Sequence, residues 1–441
     1  MERDANFRTK VEFCELNKLI KKKICENRYQ KYLTIMKQAA ATGKLKRARS
    51  SLVENKKRII ELRKSDGSLT TETRRIDHIV QEFYTKLYGG EADCTFVTRK
   101  SDEPFLQIID SEIRNAIQSM KNGKAPGIDG LTGEMLKLGK ELLVTPLKSL
   151  FNNIIKYQQI PEDFAFSKTI LLPKKGNPDD IRNCRPIPLL PTVTKYFSEV
   201  LCKRLQQQIE QKQDVEQAGF RPGKSTIDQI HVLTMLIEKT REYNLPLYLL
   251  FVDYEKAFDS VEHASLWRSL ESASVHPSII STLQEIQSKS TTTTFVHERQ
   301  IPIQTRRGVR QGDCISPLLF NAALQLVFDE LDWQNKGVNV DGKKLSHLRF
   351  ADDIVLISHS FNQIKKMLKE LEVRSAIVGL RLNASKTKLM SNRELKSAIV
   401  VRGEKVESVN EFIYLGRCVK MSEGTEADIR GNTKQGWKVF F

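Results

Sequence analysis

The feature that most restricts how this chain can fold is an apolar run, Leu247 to Val252, that passes without a break into a carboxylate, Asp253. A run that is apolar at every position, rather than at alternate ones, predicts a strand covered on both faces. A related pattern lies 99 residues further on: Asp352 and Asp353 separate Leu348–Phe350 from Ile354–Ile357, which reads as strand, turn, strand. Carboxylates at the ends of buried strands cost free energy unless they are paired, hydrated or bound to metal. Hard divalent cations such as Mg²⁺ take a few carboxylates and keep positions open for phosphate oxygens. Two such ions sharing carboxylates stabilise the attacking and leaving oxygens in phosphoryl transfer. The competing reading is a plain hairpin turn and a plain strand end. Nothing in the linear order shows that the two segments meet.

Helical and strand patterns alternate around these runs. Apolar residues at helical spacing predict helices over 70–90, from Ser111 through Met120, over 131–157, from Leu201 to Ile209, from Ile227 to Ile237 and from Ser316 to Leu331. Ile364, Met367, Leu368 and Leu371 mark another, stopped by Gly379. Ile170–Leu172 reads as a short strand before Pro173. Asp259, with Glu262 three residues on, reads as a capping box for the next helix. Helices interleaved with short strands place the chain in the α+β or α/β class. With 441 residues, 40% of them hydrophobic, the chain has material for several domains and is not wholly disordered. No apolar run approaches the ~18–20 residues needed to cross a bilayer, so no membrane partner is expected. The seven cysteines form no C-x-x-C pair and lack a nearby His pair, against a zinc site or a disulfide framework. With the charged start Met1-Glu2-Arg3-Asp4, they read as reduced thiols of an intracellular protein.

The formal net charge is +17, from 71 Lys and Arg against 54 Asp and Glu. Residues 18–64 hold 16 of the cations and 3 of the acids, a net +13, leaving only +4 for the rest. The basicity is thus an N-terminal helical arm, whose two readings are a solvated helix face and a phosphate-binding one. Lys21-Lys22-Lys23 and Lys44-Leu45-Lys46-Arg47-Ala48-Arg49 also match the pattern of nuclear import signals.

Smaller signals accompany the carboxylates. Lys174-Lys175-Gly176 follows a strand and Arg185-Pro186 comes soon after. Cations on a hairpin can grip a triphosphate, arginine with two parallel hydrogen bonds. Gly308-Val309-Arg310-Gln311-Gly312-Asp313 precedes a helix, and a glycine there lets backbone approach a ligand closely. Singly, an exposed turn and an ordinary loop explain these as well. In chain order, eight segments resemble the reverse transcriptase of non-LTR (LINE-type) retrotransposons, over about residues 108–418. They are Lys121–Gly130, Ile170–Gly176 with Asn183–Ile187, Gln217–Arg221 with Ser225–Gln229, Phe251–Val261, Gly308–Pro317, Phe350-Ala351-Asp352-Asp353, Gly379–Asn383 with Lys386–Lys388, and Phe412–Gly416.

The resemblance implies an α+β right-hand polymerase. Its parts would be a basic arm and linker (1–107), a helical lead-in (108–153), fingers and palm (154–419) and the start of a truncated thumb (420–441). It implies RNA-directed DNA synthesis from dNTPs on a template RNA and a primer DNA. Asp253, Asp352 and Asp353 would hold two Mg²⁺ (or Mn²⁺) ions, with the Tyr254 carbonyl as a further ligand. Lys174, Lys175 and Arg185 would grip the triphosphate, and Phe258 would exclude a 2′-hydroxyl. Gln311 and Gly312 would line the pocket of the templating pair, Lys386 would protonate the leaving pyrophosphate, and Tyr414, Leu415 and Gly416 would support the primer end. Protein partners are left unassigned. The alternatives are a catalytically silent RNA-binding remnant of such an element and a group II intron maturase. Deleting residues 18–64 is expected to flatten the dependence of RNA affinity on salt, measured as the slope of log K against log salt concentration. An unchanged slope would show that the arm is not the electrostatic anchor.

Overall fold

The computed structural model describes residues 61–421 except 65, 90–95, 97–104, 174–176, 178, 297–298 and 396, together with six positions between Leu19 and Thr34. The chain divides into two compact units, residues 1–60 and 61–441. In the first unit the six described positions are helical and exposed, with the Thr34 hydroxyl donating to the Gln30 carbonyl at 2.9 Å. The rest of the basic arm up to Ile60, Lys174 and Lys175 (the expected triphosphate contacts), and the expected thumb beyond Met421 lie outside the described residues.

In the second unit, helices α1 (Thr73–Tyr88), α2 (Asp110–Ser119) and α3 (Lys140–Tyr157) lead to strands β1 (Phe166–Pro173) and β2 (Cys184–Leu189). Helices α4 (Thr192–Glu210) and α5 (Thr226–Glu242) precede β3 (Tyr248–Val252). Helices α6 (His263–Ser272) and α7 (Pro277–Ser288) precede β4 (Thr291–Val296) and β5 (Arg299–Gln304). Helix α8 (Ser316–Asp329) is followed by β6 (His347–Phe350), β7 (Asp353–Ser358), α9 (Phe361–Ile377), β8 (Lys388–Ser391) and β9 (Glu407–Ser408), and a hairpin of β10 (Glu411–Tyr414) and β11 (Arg417–Lys420) follows. Shorter strands and helical turns fill the connections.

Two sheets organise these elements. One has the order β2-β1-β4-β5 and the other β6-β7-β3-β8-β9. In the larger sheet β3 is central, antiparallel to both β7 and β8. Its uninterrupted apolar run has a direct cause in the packing. Leu250 and Val252, with Ile354, Leu356 and Leu389, face one core beneath α8 and α9. Leu249 and Phe251, with Val355, Ile357 and Met390, face a second core closed by Ile230, Leu233 and Ile237 of α5 and by the β10–β11 hairpin. Each such side chain contributes roughly 1.5–3 kcal/mol through burial, and both faces must be apolar to collect it.

The helices show where local pattern is overridden. The span 131–157 is two helices, Gly133–Leu138 and α3, because Gly139 adopts φ −89°, ψ 12° and interrupts the ladder. The helix expected from Ser111 starts at Asp110, where the Glu112 carboxylate accepts from the Ile109 amide at 2.9 Å. Helix α1 buries Ile76, Val80, Tyr84 and Tyr88 at four-residue spacing, and so is built into the second unit.

The motif at 121–130 acts as a tertiary cap. The Asp129 carboxylate accepts from the Thr192 amide at the start of α4 (2.8 Å), and the Thr192 hydroxyl donates to the Leu131 carbonyl at 2.6 Å. Gly127 lies against the Leu190–Pro191 peptide, where an added Cβ would sit 2.6 Å from the Pro191 nitrogen. Asp129→Ala therefore leaves a helix N-terminus uncapped and is expected to cost about 1 kcal/mol, read from the urea midpoint at unchanged m-value.

Candidate active site

The site is made by register. Strands β6 and β7 pair from His347↔Leu356 to Phe350↔Asp353, leaving Ala351 and Asp352 as a two-residue turn. Strand β7 pairs with β3 from Ser358↔Tyr248 to Ile354↔Val252, and one step further sets Asp253 opposite Asp353. Carboxylates 99 and 100 residues apart thus converge at one end of the larger sheet. Ala351 has φ +57° while Asp352 does not, the pattern of a type II′ turn, which normally prefers glycine at the first central position.

A buried polar network holds that turn. The Gln217 side chain is fully buried, and its carbonyl oxygen accepts from the Ala351 amide at 3.1 Å and the Gly219 amide at 2.8 Å. Its amide donates to Asn321 at 3.3 Å, and Asn321 donates back to the Gly219 carbonyl at 2.8 Å. Gly219 leaves no space for a side chain, since a Cβ there would lie 2.7 Å from the Phe350 carbonyl carbon. Beside it the fully buried Arg349 donates to Asp214 (2.6 Å) and Gln325 (3.1 Å) and lies 4.0 Å over the Phe328 ring. Asp214, Asn321 and Gln325 were not legible as site residues, because each sits in an ordinary helical or loop pattern.

Lys386 donates to Asp253 at 3.2 Å. The turn that carries it is set by the Thr387 amide donating to the Asn383 carbonyl (2.9 Å) and the Asn383 amide to the Asp253 carbonyl (2.8 Å). Arg185 is exposed on β2 and near enough to Asp352 to favour its ionised form. Tyr254 is buried, its hydroxyl sharing a 2.6 Å hydrogen bond with Ser375. Tyr414 is also buried, with its ring 5.6 Å from that of Phe251. It anchors the hairpin, so Leu415 (φ +48°) and Gly416 (φ +83°) form the turn that reaches solvent.

Phe258 and the 308–313 loop form one assembly. The Gly308 amide donates to the Val261 carbonyl and the Val309 amide to the Phe258 carbonyl, both at 2.7 Å. Gly308, with φ +82°, is therefore needed for approach to the 258–261 backbone rather than to a ligand. A buried Arg310–Asp313 ion pair at 3.0 Å closes the loop. Gln311 donates to Asp259 at 2.7 Å, and the Tyr88 hydroxyl donates to the same carboxylate oxygen at 3.4 Å. The capping box expected at Asp259 is not formed. Asp259 lies inside the short helix Ala257–Ser260 with its side chain buried, so these tertiary donors take the role of the helix amide. Gly312, with φ +93°, faces the Pro188 carbonyl of β2.

Charge crowding dominates the chemistry. Burial, then repulsion by Asp253, raises Asp352 above the ordinary carboxylate range, against the pull of Lys386 and Arg185. Asp353 opens to solvent along one flank, yet lost hydration and repulsion by Asp352 and Asp253 push it up to about 6. Three acids set against Lys386 and Arg185 make a site that favours added positive charge. Among the described residues no group of three or more His, Cys, Asp or Glu side chains forms a ready-made metal cage. The donor set instead suits ions that take one or two carboxylates and complete their shells with water and phosphate oxygens.

Fingers and a palm sheet with carboxylates at one end define a right-hand polymerase of the α+β class. The chain belongs to the reverse transcriptase (RNA-dependent DNA polymerase) family, whose profile matches residues 172–418. It is 25% identical over 357 residues to the transposon TX1 uncharacterized 149 kDa protein of Xenopus laevis, covering 78% of this chain and 27% of that protein. It is 30% identical over 259 residues to the retrovirus-related Pol polyprotein from the type-1 retrotransposable element R2 of Nasonia vitripennis, covering 58% of this chain and 25% of that one. The chain thus spans about a quarter of the length of these relatives, and the resemblance to non-LTR retrotransposon reverse transcriptases is upheld by them. A telomerase structure from Candida tropicalis, truncated from the C-terminal domain, aligns at 14% identity and TM-score 0.43, covering 63% of this chain and 59% of that one.

A carboxyl whose pKa is raised on folding favours the folded state at low pH and loses that contribution as pH rises through the folded value. For Asp353 the loss runs from about pH 4 through about pH 6. In chelator, Asp353→Asn is therefore expected to match the wild-type Tm at pH 4 and exceed it by ~2 °C at pH 8, in differential scanning calorimetry. Equal Tm values at both pH values would show that the carboxylates do not repel one another.

Proposed function

We propose that this chain is the polymerase portion of a non-LTR retrotransposon protein, extending a primer DNA by dNTP addition on a template RNA. What carries the reading is the antiparallel register that sets Asp253 opposite Asp353, with Asp352 in the β6–β7 turn just before it. Mg²⁺ or Mn²⁺ held by Asp253, Asp352 and Asp353 would offset the charge of the triphosphate and stabilise the attacking and leaving oxygens.

The side chains around them supply the positioning. Arg185, exposed at the fingers edge, would clamp the triphosphate, and Lys174 and Lys175 would join it. Lys386, paired with Asp253 before substrate arrives, would give its proton to the departing pyrophosphate. Phe258 would close the space at the sugar 2′ position. Gln311, held by Asp259, would meet the templating pair with Gly312 beside it. The Leu415-Gly416 turn would bear on the primer end, its position fixed by the buried Tyr414. The Tyr254 carbonyl follows the first aspartate directly and would complete that ion's shell. Most of the rate would come from this preorganised arrangement.

Primer extension on an RNA template with dNTPs and Mg²⁺ tests the reading. Wild type is expected to extend the primer, and Asp352→Ala to fall at least ~10²-fold, the order seen when one preorganised charge-stabilising group is lost. Failure of the wild type to extend, with RNA still bound, would instead leave a silent RNA-binding remnant.

A further inference from the structure

Phe220 stands out from its surroundings. Gln217 and Ala218 before it are fully buried or nearly so, yet its own side chain is 57% exposed. It is held at φ +58°, in a left-handed conformation that bulky residues rarely adopt. Both neighbours enforce this. Gly219 is wedged against the Phe350–Ala351 peptide, and the Arg221 guanidinium donates to the carbonyls of Asp214 (2.6 Å) and Gln217 (2.9 Å). A ring that exposed gains little from burial, so packing alone does not account for the strained placement.

Its contacts indicate a use. The Phe220 ring meets Phe258 edge-on, with centroids 6.2 Å apart at 80°, and lies 6.4 Å from Phe350. The Phe258 ring is stacked on Phe320 at 4.4 Å and 13°. Phe258 is therefore stacked on a buried ring and met edge-on by an exposed one, whose neighbour Gly219 is wedged against the peptide that opens the turn carrying Asp352.

We propose that Phe220 is a positioning residue that locks the Phe258 ring and so sets discrimination between deoxy- and ribonucleotides. The inference rests on the polymerase reading. A ring free to swing off Phe320 would make room for a 2′-hydroxyl, whereas a clamped ring excludes it. Because Phe220 acts through Phe258, its loss should add little once Phe258 itself is cut back.

The test is single-nucleotide incorporation on an RNA template with a DNA primer, giving kcat/KM for a dNTP and its matching rNTP. Phe220→Ala is expected to raise rNTP incorporation and lower the dNTP/rNTP ratio roughly 10-fold. Phe220→Tyr should keep the wild-type ratio. Phe258→Val should lower the ratio further, and the double variant should match Phe258→Val. A ratio unchanged in Phe220→Ala, with both substrates slowed equally, would overturn the proposal and leave Phe220 a purely structural residue. No dNTP incorporation by wild type would overturn the polymerase reading, and this proposal with it.

Discussion

Repulsion among three carboxylates is the constraint around which the second unit is built. Asp253, Asp352 and Asp353 meet at one end of the larger sheet, where burial and mutual repulsion raise Asp352 and Asp353 above their ordinary range. A flexible backbone would relieve that strain by spreading the strands. It is prevented by cores on both faces of β3 and by the Gln217 side chain, which accepts from the Ala351 amide and holds the turn in its disfavoured shape. The free energy of ordinary apolar packing thus stabilises a local charge arrangement that no isolated hairpin would keep.

The assembly of Phe258 and the 308–313 loop is tied together in the same way. The 308–313 loop is hydrogen-bonded to the backbone of Phe258 and Val261, and Gln311 is anchored on Asp259, which follows Phe258 directly. Tyr88 reaches Asp259 from α1, and Arg307 binds the carbonyls of Leu87 (2.6 Å) and Lys86 (3.0 Å). A helix that the sequence groups with the basic arm therefore braces Asp259 and the loop that follows Arg307. The backbone of Phe258, the Gln311 side chain and the Ala351–Asp352 turn are thus each held by tertiary hydrogen bonds.

Some of this was readable in advance. The strands, the positions of the aspartates at their ends and most helices follow from local period. The ordered motifs pointed to the family. Asp259 was misread because Asp followed three residues later by Glu is a common start of a helix, and only the fold shows that Gln311 and Tyr88 compete for its carboxylate. Tyr414 was read together with Leu415 and Gly416, although burial divides the three. Asp214, Asn321 and Gln325 gave no signal, since a polar residue in a helix or loop looks alike whether it faces water or a buried amide.

By itself, then, the sequence determined that β3 must be covered on both faces and that its end carries a carboxylate, because apolar period and burial are properties of a few adjacent residues. Only the tertiary structure decided that this carboxylate stands opposite Asp353, that Gln217 holds the turn leading into Asp353 and that Phe220 leans on Phe258. Those outcomes depend on strand register and on packing between elements far apart in the chain. They are selected by the free energy of the whole core, which no local pattern encodes.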